Sequence, residues 1–158
     1  MFPIIHWNLI SLELLITAIL VVMIVIDIFL PKDTKDDWIG SLSFVSLLGL
    51  IRFWAGQSHL DGATFGGMFI MDSLAWFFKG FFLLAMFFVF VMTQQFFKSL
   101  PQRRNEFYLL LWLALLGMCL VASSADFLLL FISIEILTLS LYVIPLTLKV
   151  INIPLKRE

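Results

Sequence analysis

The chain has 158 residues, of which 62% are hydrophobic and only 13% charged, with Phe at 18 positions and Trp at five. A soluble domain carries about 25% charged residues, so too few polar side chains remain here to coat a globule in water. The formal net charge of -1 gives no basis for a nucleic-acid or polyanion partner. Cys119, alone in an apolar run, rules out an internal disulfide and supports neither a cysteine metal site nor a redox pair.

Taken in chain order, the segment Met1 to Asn8 lacks the positive region of a secretory signal, and no small-residue cleavage site follows the apolar run after it. The first helix is therefore expected to be retained. Crossing a bilayer takes about 20 apolar residues, and the sequence predicts about five such spans. The first runs from about 9 to 30 and is stopped by Pro31 and the charged turn Lys32 to Asp37. The second, about 39–54, is short and carries Arg52 near its end, where a long side chain can reach the interface. A glycine-rich stretch, Ala55 to Gly67, reads as a turn-rich loop holding His59 and Asp61.

The third span lies within 69–97, a run longer than a bilayer needs, so its register is open by a turn or two. Lys98, Pro101, Arg103 and Arg104 separate it from the fourth, about 107–122. The break Ser123 to Asp126 is tight, which makes the fifth span, about 127–148, an antiparallel neighbour of the fourth. Lys32, Lys35, Lys98, Arg103, Arg104, Lys149, Lys156 and Arg157 all fall on one side of this arrangement, and Arg52 lies near the other. The positive-inside rule then puts the N-terminus outside and the C-terminus in the cytoplasm. The fold class expected is an all-α, multi-pass integral membrane protein.

Ionisable groups within spans carry the functional information, because each costs about 2.5–3.5 kcal/mol at the centre of an inserted helix. Glu135 sits eight residues into the fifth span, about 12 Å below its outer end, too deep for a short carboxylate to reach headgroup water. It must face protein, a partner or a water-filled cavity. A carboxyl whose charge is set by its neighbours can act as a proton carrier. The alternative is a protonated structural glutamate bonded to a neighbouring helix. Thr138 and Tyr142 share its helical face and extend a candidate polar file.

Asp72 and Lys79 share a face of the third span. With a helix start near Phe69, Lys79 reaches the depth of Glu135 and is a candidate counter-ion; with a start near Leu74, both are interfacial anchors. Glu13 and Asp27 lie near opposite ends of the first span, positions that suit snorkelling or packing against a partner subunit. His6 and His59 have no second ligand at metal spacing, and Trp7, Trp38 and Trp54 sit where an aromatic belt would place them. No phosphate cradle and no set of nucleophile, base and orienter can be assembled. What remains is the movement of a proton or ion.

Several stretches carry a family resemblance: Glu106-Phe107-Tyr108-Leu109-Leu110-Leu111 to Gly117-Met118, Ala122 to Leu128, Ile134-Glu135-Ile136 and Ser140-Leu141-Tyr142-Val143. Glu13-Leu14-Leu15, Asp27-Ile28-Phe29, and Phe69 to Asp72 with Lys79 add to it. Across about residues 9–144 the chain resembles subunit N of the proton-pumping NADH-quinone oxidoreductase (respiratory complex I), one of its antiporter-like membrane subunits. The resemblance implies that Glu135 belongs to a proton half-channel coupled to a lysine on a later helix. It implies a subunit of an NADH:quinone oxidoreductase with no redox site of its own. Flavin, iron-sulfur clusters and quinone are then expected in other subunits, with complex I membrane subunits as partners and the plasma (inner) membrane as the location.

Family members have about fourteen helices in two inverted five-helix repeats. The expectation is therefore an N-terminal part only: three helices with their loops over 1–104, the first two helices of the proton-channel repeat over 105–148, and a basic cytoplasmic tail over 149–158. A truncated or split gene product is the simplest account of the missing lysine-bearing helices. The competing expectations are a non-catalytic membrane remnant, or a related subunit of a cation/proton antiporter or membrane-bound hydrogenase.

Overall fold

The computed structural model describes residues 6–29, 35–57, 61–97 and 104–151. Five α-helices account for most of them: α1 Ser11–Phe29, α2 Lys35–Ala55, α3 Ser73–Phe97, α4 Arg104–Ser123 and α5 Phe127–Ile151. Four contain a stretch long and apolar enough to cross a bilayer, and the fifth, α2, has a shorter apolar stretch, Ile39–Ala55. The chain is a helical membrane protein. Of the residues behind the expected orientation, Lys32, Lys98, Arg103, Lys156 and Arg157 lie outside the described residues, as does His59.

Among the described residues the fold departs from all-α at one hairpin. Strands β1 Gly62–Thr64 and β2 Phe69–Met71 pair antiparallel, with Gly62 opposite Met71 and Thr64 opposite Phe69. A short 3-10 turn, Phe65–Gly67, joins them. Gly66 and Gly67 take φ of 68° and 93° there, a left-handed region open to glycine at little cost. The expected loop is thus an ordered hairpin, and the apolar run expected to begin the third span starts as a strand. Phe69 and Met71 are buried and Ile70 is exposed, the two-residue alternation of a strand. Asp72 then starts α3: its Oδ1 accepts the Ala75 N–H at 2.7 Å, as an N-cap side chain does.

Helix α4 occupies the centre. Of its Asn105–Ser123 span 44% is buried, against 11% of the Phe127–Pro145 span of α5. Tyr108 and Trp112 of α4 are fully buried and meet Phe90 of α3 edge-on, at centroid distances of 5.4 and 5.9 Å. Leu12, Ile16 and Met23 of α1, with Ile39 and Leu47 of α2, close the same core. Two glycines set close helix contacts. A Cβ on Gly80 would overlap the Trp54 indole, and one on Gly117 would lie 3.0 Å from the Leu137 backbone nitrogen. Helices α4 and α5 therefore pack almost backbone to backbone, a contact that small residues permit in membranes.

The ends of α2 and α3 are fastened by an indole pair. Trp54 and Trp76 stack at 4.4 Å, and each Nε1–H donates to the other's carbonyl, at 2.9 and 3.4 Å. At the other end of α1, Asn105 Nδ2 of α4 donates to Asp27 Oδ1 at 3.1 Å. Asp27 thus faces this chain's own helix.

Candidate functional site: a buried ion pair and an outward-facing glutamate

Lys79 lies six residues into α3 and Glu13 two residues into α1, so both sit at the end of the bundle that carries the hairpin. Lys79 Nζ is 2.6 Å from Glu13 Oε1, and the two side chains are 0% and 4% exposed. The hairpin closes over the ammonium: Nζ donates to Met71 Sδ at 3.2 Å and lies 5.0 Å from the Phe69 ring centroid, within cation–π range. The long stem of Lys79 carries its charge from the third helix to the hairpin, where the glutamate of the first helix meets it.

Within this chain Lys79 is not set against Glu135, and its side chain is fully buried. Its partner is Glu13, which in turn faces the interior of this chain and not a partner subunit. Asp72 does not join the pair, because its carboxylate is exposed and engaged in capping α3. The missing signal was a matter of pairing. Hydropathy reveals that a span tolerates a charge, but not which other span supplies the opposite one. The coincidence of one acid and one base near the same predicted membrane face was the available clue.

Glu135 is exposed on α5. Ser133 and Ser140 are buried, with their hydroxyls returned to the carbonyls of Leu129 and Ile136, and Leu137 meets Gly117. These residues mark the side of α5 packed on α4. Leu128, Phe131, Glu135, Leu139 and Tyr142 form the exposed stripe, spaced three and four residues apart along one helical face. The Thr138 hydroxyl donates to the Glu135 backbone carbonyl at 3.1 Å, so it serves the backbone and leaves the carboxylate alone. Tyr142 is 72% exposed and lies two turns further along. The structure thus brings Glu135 and Tyr142 onto one face, brings Lys79 to Glu13, and keeps the two groups apart.

The start of α5 is fixed by Asp126, whose Oδ2 accepts the Leu128 N–H at 3.0 Å. Among the described residues no group of three or more His, Cys, Asp or Glu side chains is placed to hold a metal ion. Cys119 is fully buried in the core.

No protein-family model matches the chain. It is 30% identical over 139 residues to NADH-quinone oxidoreductase subunit N of Desulfitobacterium hafniense, an alignment covering 87% of this chain and 28% of that protein. Subunit N of Anoxybacillus flavithermus is 30% identical over 144 residues, covering 88% and 28%. That of Dehalococcoides mccartyi is 33% identical over 138 residues, covering 83% and 26%. The fold is shared with a chain of respiratory complex I from Thermus thermophilus, at a TM-score of 0.70 and 22% identity over 84% of this chain and 28% of that one. Along most of its length the chain is thus a relative of NADH-quinone oxidoreductase subunit N, and it spans about 28% of the length of the proteins it matches.

Proposed function

We propose that this chain is the N-terminal part of a subunit N-type membrane component of an NADH-quinone oxidoreductase. In this reading it contributes Glu135 to a proton path, coupled to quinone reduction, that another polypeptide completes. The observation that carries the reading is the exposure of Glu135 on an otherwise apolar stripe of α5. A carboxyl turned toward bare lipid costs about 2.5–3.5 kcal/mol, whereas a helix presenting a cation or hydroxyls would remove that penalty. The similarity to subunit N proteins over 139 residues supplies a setting in which such a helix exists.

The partners proposed are other membrane subunits of the oxidoreductase, in the plasma membrane, with the N-terminus outside. Flavin, iron-sulfur clusters and quinone are assigned to those other subunits, as the resemblance to subunit N implies. Its own part would be to hold and pass a proton at the Glu135 carboxyl. Tyr142, on the same stripe, extends the path toward the cytoplasmic end. An affinity tag on the chain tests the setting: mild detergent extraction should bring down further membrane subunits of the oxidoreductase. Recovery of the chain alone would favour a non-catalytic membrane remnant.

A further inference from the structure

The ion pair of α1 and α3 plays no part in the proton path just described, yet it is joined to the start of α5 by an unbroken set of contacts. Lys79 Nζ, held by Glu13 at 2.6 Å, supports the underside of β2 through Met71 Sδ at 3.2 Å and the Phe69 ring at 5.0 Å. Phe69 forms a β-bridge to Ser124 in the α4–α5 turn. Beside it, the Ala125 N–H donates to the Met68 carbonyl at 2.9 Å. Two residues later α5 begins. Within this chain that helix packs chiefly on α4 and its other side is exposed, so the turn is where the hairpin reaches it.

We propose that Glu13 and Lys79 are positioning residues for Glu135: the pair seats the hairpin, the hairpin holds the α4–α5 turn, and the turn sets the depth at which α5 presents its carboxyl. This rests on the proton-path reading for its purpose, but its physical content is the depth of position 135 and can be measured without proton flow. The pair suits the task because a buried charge with one partner has one favourable geometry. An apolar contact at the same place would tolerate sliding.

The test is the full chain in phosphatidylcholine vesicles, with a nitroxide spin label attached at position 135 (Glu135→Cys in a Cys119→Ala background). Depth is read from the relative access of oxygen and a water-soluble nickel complex to the label. Lys79→Met should displace the label by about 3 Å or more, half a helical turn. Lys79→Arg, which keeps the charge facing Glu13 and Phe69, should leave it in place. If the unpaired Glu13 prevents Lys79→Met from inserting, the double variant Glu13→Leu/Lys79→Met removes both charges and should show the same displacement. A double variant that inserts with the label at the parental depth would overturn the proposal. Retention of pumping by Glu135→Gln would end the proton-path reading and leave the depth result standing, so the two failures are distinguishable.

Discussion

At the scale of single residues, the ion pair is where the chemistry of the bilayer is most exacting. Removing an ion from water costs several kcal/mol, and the mutual attraction of a well-placed pair is what returns it. Glu13 and Lys79 satisfy that condition at 2.6 Å, with the hairpin excluding solvent. Truncating one partner leaves the other buried and unpaired. Lys79→Met should therefore destabilise the chain by about 3–5 kcal/mol, read as a lower midpoint in detergent-driven unfolding. Glu13→Leu added to it should recover most of that loss. A single variant as stable as the parent would mean that water reaches the carboxylate. Asp72 and Asp126 have a humbler assignment, as caps of α3 and α5. Sequence position alone had left Asp72 a candidate for the charge pair, because a cap and a pair partner both call for a carboxylate just outside an apolar run.

At the scale of elements, close approach decides which helices touch. Gly117 places the α4 backbone against Leu137 of α5, where a Cβ would lie 3.0–3.1 Å from the Leu137 N, Cα and Cβ atoms. Gly117→Val should push the helices apart at a cost of about 1–3 kcal/mol, again measurable as an unfolding midpoint, while Gly49→Val, which meets open space, should have little effect. The five helices were legible from hydropathy because each is bounded by charged residues, proline or a polar break. Boundaries were less so. Phe69 to Met71 is as apolar as the helix it precedes, and three residues are too few for a period of two to stand out from a period of 3.6. The hairpin was legible only as a glycine cluster. Its pairing depends on Gly66 and Gly67 turning with positive φ, and its place depends on contacts with the α4–α5 turn that no local pattern encodes.

At the scale of the whole molecule, the bundle has one well-buried centre, α4, and one lightly buried flank, α5. Its polar groups divide accordingly. The Glu13–Lys79 pair is sealed within the chain, and Glu135 lies on the flank, across α5 from the side packed on α4. The depth of Glu135 in its span was legible from counting residues. The direction it faces was not, since that depends on which side of α5 meets Gly117. A carboxyl placed on the open flank is the feature expected of a helix that packs against more protein than this chain supplies, and its relatives in subunit N are longer proteins of which it spans about 28%. The proposal that this flank belongs to a proton path is tested most directly by proton translocation in vesicles containing the assembled oxidoreductase, with Glu135→Gln in place of the parent chain. A marked fall in protons moved per NADH oxidised, with the complex still assembled, is the predicted result. An unchanged ratio would contradict it.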